Sequence, residues 1–210
     1  LTMDPLDKAI LVSIYSSGFD SGITPYDYFK GRTMVPEDLF NSRLKKLNKL
    51  GFVDLTNPVS LSFLGRGSIK VVLVGGVFDI LHPGHIHTLK AAKSYGDVLV
   101  AVIARTSTAR KINSSRVIYH DEVLRKELVS SIKFVDVALI GFESTLYRTV
   151  EYVKPDIIAL GYDQAHGEKE IAMNCRKRGI DVQVIRLNTP IPKIKSTSIK
   201  EELGTSIYDI

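Results

Sequence analysis

From Ile69 onward the chain alternates between apolar runs and helical periodicity, and this alternation limits its fold more than any other feature. The runs Ile69–Gly76, Val98–Ala104, Val135–Gly141, Asp156–Gly161 and Asp181–Leu187 are rich in Val and Ile and nearly continuous in apolar residues. Strands covered on both faces read this way, because neither face meets water. Helical spacing fills the intervals Gly84–Tyr95, Asp121–Lys133, Thr145–Val153 and Glu168–Arg178, and a last short helix starts near Thr197. The pattern predicts a doubly wound, Rossmann-like α/β domain with a parallel sheet. Its ligand crevice lies beyond the carboxyl ends of the strands. The stretches after Gly76, Ala104, Gly161 and Leu187 are therefore where site residues are expected.

A different pattern precedes residue 68. Pro5–Ser16 has an apolar stripe at Leu6, Ile10 and Ile14, Pro25 opens a short helix through Phe29, and Pro36 opens a third ending at Gly51. Phe52–Leu55, a turn at Asn57-Pro58 and Leu61–Phe63 read as a small hairpin. Leu64–Ser68 reads as a Gly/Ser link, so the division is residues 1–67 and 68–210. Three helices and a hairpin resemble a winged helix-turn-helix domain, whose third helix would enter a DNA major groove. The polar face of that helix carries Asn41, Ser42, Arg43, Lys45, Lys46 and Lys49. It reads equally as a mildly basic DNA-binding face and as a solvated helix surface, and the unit equally as a dimerisation or regulatory module.

The first expected strand runs into Gly75-Gly76-Val77-Phe78-Asp79-Ile80-Leu81-His82-Pro83-Gly84-His85. Glycines admit close backbone approach, and helix-start N–H groups attract anions. His82 and His85 can donate to an α-phosphate and to charge developing in a transition state. Gly75, Val77, Phe78 and Gly84 supply the backbone of this nucleotide site, and Asp79 is placed to orient a histidine or meet the acceptor. His87 reads as ordinary helix surface.

Further candidates stand at the other strand ends. Arg105 to Lys111 places cations after the second strand. Gly161-Tyr162-Asp163-Gln164 can offer backbone and a carboxylate to base and ribose. Ser196, Thr197 and Ser198 open the last helix, where they cap it and can offer hydroxyls and N–H groups to phosphate.

The histidine run resembles the nucleotidyltransferases with a His-x-Gly-His signature, the cytidylyltransferase-like superfamily, from residue 69 to about 203. The resemblance implies nucleotidyl transfer from a nucleoside triphosphate to a phosphorylated acceptor, with release of pyrophosphate. It implies a phosphate-binding lysine at Lys111, a nucleotide-site arginine at Arg125 within Glu122-Val123-Leu124-Arg125, and Ser196–Ser198 on the outer phosphates. A divalent cation, Mg2+, would accompany the triphosphate, and a homodimer is usual. Lys154–Gln164 looks like the archaeal FAD synthases, which implies ATP and FMN as substrates. Lys195–Ser198 resembles the Ile-Ser-Thr-Thr signature of cytidylyltransferases, so CTP with glycerol 3-phosphate is the alternative. Ile191 departs from that group's usual arginine, with Lys193 or Lys195 as a replacement. A DNA-binding regulator that senses a nucleotide or flavin is an alternative of another class.

Composition adds boundaries. A net charge of +5 suits an anionic ligand, and residues 1–68 hold eight Lys/Arg against seven Asp/Glu, so most of the excess follows residue 68. The single cysteine, Cys175, allows no internal disulfide and suits a reducing cytoplasm. No apolar run approaches the ~18 residues of a membrane span, and no signal peptide is read at the start.

Overall fold

A computed structural model describes residues 3–56, 58–112, 117–143, 145–162 and 167–188. The chain divides into two compact units between Lys70 and Val71.

In the first unit α1 spans Pro5–Ser17, α2 Pro25–Lys30 and α3 Glu37–Lys49. Each start follows its local chemistry. Asp4 caps α1 by accepting from the Leu6 and Asp7 amides, and Thr24 and Asp27 form a reciprocal capping box on α2. Ile10, Leu11, Ile14, Phe29, Phe40 and Leu47 are buried, and the Phe29 and Phe40 rings lie 4.9 Å apart. Strands β1 (Val53–Asp54) and β2 (Ser60–Leu61) pair antiparallel, with Val53 opposite Leu61. The expected link at Leu64–Ser68 is instead a short helix, α4 (Phe63–Gly67). Ser62 starts it by accepting from the Gly65 amide while donating to Gly51 O. Gly65 is a contact rather than a break, since a Cβ there would meet Phe52 O at 2.0 Å.

The third helix is less basic than it reads. Of its four cations, Arg43 bonds Asp7 and Asp4 at 3.1 and 3.3 Å, and Lys46 bonds Asp7 at 3.4 Å. Lys45 and Lys49 remain exposed.

The second unit contains β3 (Val71–Gly76), α5 (Pro83–Lys93), β4 (Val98–Ile103), α6 (Thr106–Ile112), α7 (Glu122–Ser130), β5 (Val137–Ile140), α8 (Leu146–Val153), β6 (Ile157–Leu160), α9 (Glu168–Arg176) and β7 (Gln183–Arg186). The strands form a parallel sheet in the order β5-β4-β3-β6-β7. β3 and β4 are buried along nearly their whole length, as two-sided cover requires. Leu89 and Ala92 of α5 pack into a core with Val72, Val74, Leu99, Ala101 and Ile103. The chain winds outward from β3 to β5, then returns to place β6 on the other side of β3. The winding reverses between β3 and β6, where an open α/β sheet leaves a crevice at its carboxyl edge.

Two expectations change here. Residues 105–111, read only as cations after the second strand, are mostly helix α6, held by buried Ala109 and by the Thr106 hydroxyl on Glu122 at 2.7 Å. Asp156, read as the first strand residue, precedes β6, and its carboxylate accepts from the Val71 amide at 2.7 Å.

Candidate active site

β3 ends at the switch point, and the chain turns there through Val77 and Phe78 into α5. Phe78 is buried with φ at 52°, a left-handed conformation that costs an aromatic residue about 1–3 kcal/mol. The turn brings its ring back over Gly76, where a Cβ would meet it at 2.7 Å. Gly76 thus makes room for Phe78 rather than for a ligand. The same ring meets His85 edge-on at 5.4 Å between centroids.

His82 is the N-cap of α5, and its Nδ1 accepts from the Gly84 amide at 3.2 Å. A neutral imidazole that accepts at Nδ1 carries its proton on Nε2. His82 O also receives the His85 amide at 2.9 Å, and the His82 and His85 rings stack at 3.9 Å. Pro83 fits the first helical position, which has no carbonyl for its N–H to find. Gly75 lies near the end of β3, Val77 and Phe78 lead on from the strand, and His82, Gly84 and His85 stand at the helix start, where N–H groups and dipole favour an anion.

Asp79 and Arg125 act beneath that turn. Asp79 is 3% exposed and accepts from the Tyr119 amide at 3.1 Å and the His120 amide at 2.9 Å. His120 Nδ1 lies 3.2 Å from Asp79 O. The carboxylate organises the entry to α7 through the Tyr119 and His120 amides. Arg125, read as a nucleotide ligand, is fully buried. It donates from Nη1 to Val77 O (2.6 Å) and Ala104 O (2.7 Å), from Nε to His120 O (2.9 Å), and from Nη2 to Thr106 Oγ1 (3.1 Å). Its guanidinium is a buried tie between three loops. Burial lowers its pKa, and the Asp79 and Glu122 carboxylates oppose that shift. Glu122 in turn is held below its ordinary value, chiefly by the Thr106 hydroxyl.

This turn has known counterparts. The family model for cytidylyltransferase-like proteins matches residues 73–202. The chain belongs to that family. Among its relatives, FAD synthase of Aciduliprofundum boonei is 51% identical over 116 residues, covering 55% of this chain and 76% of that one. FAD synthase of Thermoplasma volcanium is 47% identical over 127 residues, covering 60% of this chain and 88% of that one. A crystal structure described as the lipopolysaccharide core biosynthesis protein from Thermoplasma volcanium GSS1 superposes with a TM-score of 0.55 at 48% identity, covering 58% of this chain and 98% of that one.

Other residues expected in this cytidylyltransferase-like site are placed as follows. Lys111 is exposed in the last turn of α6, the helix that leaves the carboxyl end of β4. Arg105 donates to Gly141 O at 2.9 Å and faces Glu122 and Glu143. Gly161 follows β6 across the switch point from Gly76, and its carbonyl accepts from Arg186 Nη1 at 3.0 Å. Arg186 also pairs with Glu168 at 2.6 Å, which raises the pKa of the arginine and lowers that of the carboxyl. Sequence reading missed Arg186, Thr106 and His120. The signal for Arg186 was a lone cation closing a short strand after Val184 and Ile185. Asp163, Ile191, Lys193, Lys195, Ser196, Thr197 and Ser198 lie outside the described residues. Cys175 is buried, and burial pushes its thiol up, away from the thiolate a nucleophile needs.

Among the described residues no group of three or more His, Cys, Asp or Glu is arranged to hold a metal ion. Nor is any helix among them long and apolar enough to cross a membrane.

Proposed function

We propose that the chain transfers AMP from ATP to the phosphate of FMN, giving FAD and pyrophosphate. The observation that carries this is the stacked His82–His85 pair at the start of α5, in a chain whose relatives are FAD synthases at 51% and 47% identity. An FMN phosphate oxygen forms the new bond to the α-phosphorus of ATP. The bond from that phosphorus to the bridging β-phosphate oxygen breaks, and its electron pair leaves with pyrophosphate. The acceptor oxygen is already anionic, so positioning and charge neutralisation suffice.

In this reading His82 and His85 donate to the α-phosphate, and the backbone at Gly75, Val77, Phe78 and Gly84 shapes the turn around it. Lys111, Ser196, Thr197 and Ser198 clamp the leaving phosphates. Gly161 and Asp163 face the base and ribose. Arg125 and Asp79 position these parts without touching substrate. Among the described residues no group of three or more His, Cys, Asp or Glu is arranged to hold a divalent cation. Mg2+ would accompany the triphosphate. Transfer belongs to residues 68–210, with 1–67 a separate domain and a homodimer as the assembly. The ion pairs of Arg43 and Lys46 with Asp4 and Asp7 weigh against DNA contact by α3.

The test is pyrophosphate release by purified protein, with ATP or CTP crossed against FMN, glycerol 3-phosphate and no acceptor. Release with ATP and FMN alone, lost in His82→Ala and His85→Ala, is the expected result. Release with CTP and glycerol 3-phosphate would replace this reading by the cytidylyltransferase one. Absence of turnover, with DNA retained in a low-salt mobility shift, would favour the regulator.

A further inference from the structure

α5 has two faces with different surroundings. Leu89 and Ala92 point into the core. On the outer side, Leu81, His82, Pro83, Ile86, His87 and Lys90 line an open cavity of about 530 Å3. The depression is shallow and open to solvent, so it can support one face of a flat ligand rather than enclose it. Ile86 is 38% exposed in it. A single exposed isoleucine is unremarkable by itself. Here it continues an apolar surface that begins at Leu81 and Pro83 and includes His82, the proposed phosphate donor.

We propose that this cavity holds the isoalloxazine ring of the acceptor, resting on the FMN reading above. In-line transfer requires the acceptor and the leaving pyrophosphate on opposite sides of the α-phosphorus. The crevice between the ends of β3 and β6 serves the nucleotide on the sheet side of His82. The outer face of α5 reaches the same histidine from the side away from the core residues Leu89 and Ala92. From Pro83 to Lys90 the helix rises about 10 Å, enough to support a three-ring heterocycle beside its phosphate. Leu81, Pro83 and Ile86 offer an apolar bed for the ring face. His87 and Lys90 are the polar groups at its margin, suited to the carbonyl oxygens of the pyrimidine edge. His87, unremarkable in the sequence, becomes a specificity residue.

The experiment compares wild type, Ile86→Asp, Ile86→Val and Lys90→Ala. It reads the FMN dissociation constant from flavin fluorescence without ATP, and KM for FMN and ATP separately. Ile86→Asp should weaken FMN binding and raise its KM about tenfold or more, with the KM for ATP unchanged and Ile86→Val close to wild type. Lys90→Ala should show a smaller rise in the same constant. Unchanged FMN constants in Ile86→Asp overturn the proposal, and so does a rise confined to ATP. Failure of the functional reading looks different. Wild type would then make no FAD, while an FMN affinity sensitive to Ile86→Asp would still uphold the cavity. A wild type that does not bind FMN overturns both.

Discussion

The two edges of the parallel sheet spend buried charge differently. At the amino edge, Asp156 and Asp136 each stand just before a strand and accept from an amide near the start of the neighbouring one, Val71 and Leu99, both at 2.7 Å. The Asp156 and Asp136 amides return the bond to Val71 O and Leu99 O. Lys93 reaches Asp136 at 2.5 Å. These contacts extend the ladder and lock strand register. At the carboxyl edge, Asp79 and Arg125 bind loop backbone instead, joining the turn after β3, the exit of β4 and the entry to α7. The first edge stabilises the sheet. The second shapes the loops that carry His82 and His85, so damage there should reach both stability and turnover.

The sharpest break is at Arg125. Arg125→Met leaves three carbonyls and the Thr106 hydroxyl without the guanidinium, at a cost of about 3–5 kcal/mol in urea unfolding. Turnover should fall with it, and Arg125→Lys should recover little of either, since an ammonium cannot span the fork. Full activity in a folded Arg125→Met would remove the positioning role. Next are the histidines. His82→Ala and His85→Ala should each lower kcat about 10²- to 10³-fold, as loss of one transition-state donor does. His85→Ala should leave the thermal midpoint near wild type, whereas His82→Ala also removes a helix cap. Steady-state rates and melting curves on the same samples separate the two effects.

At the other edge, Asp156→Asn and Asp136→Asn should cost about 1–3 kcal/mol of stability each, with kcat unchanged at a temperature where the protein is folded. A fall in kcat without loss of stability would erase the distinction between the edges. The smallest effect concerns pH. Glu122 has its pKa lowered in the folded state, so its contribution is full above its ordinary value and is lost as pH falls through the depressed one. Between about pH 5 and 3 the unfolding midpoint of wild type should therefore drop more steeply than that of Glu122→Gln. Parallel pH profiles would show that the Glu122 charge contributes nothing to folding.

Much of the fold was legible because buried parallel strands leave a direct trace in hydrophobicity. Val71–Gly76 and Val98–Ile103 read as strands for the same reason that they are buried. The histidine turn was equally legible, since a strand, Gly75-Gly76 and His82-Pro83-Gly84-His85 follow one another along the chain. Charged residues were harder to place. Arg125 reads as a helix-surface cation until Val77 and Ala104 are known to lie against it, and they are 48 and 21 residues away. Gly65 was misread, and Thr106 missed, for a related reason. Glycine marks breaks and close approaches alike, and a short helix such as α6 depends on a side chain, Glu122, from the next one.

Local sequence thus determined the kinds of element, the caps that start α1, α2 and α5, and the chemistry gathered at the start of α5. These depend on neighbours within a turn of one another. Tertiary structure alone decided that β6 lies beside β3, that Phe78 turns back over Gly76, and that Arg125 is a buried tie. Each of those rests on contacts whose partners are chosen by three-dimensional packing, and a linear pattern carries no record of which partner is met.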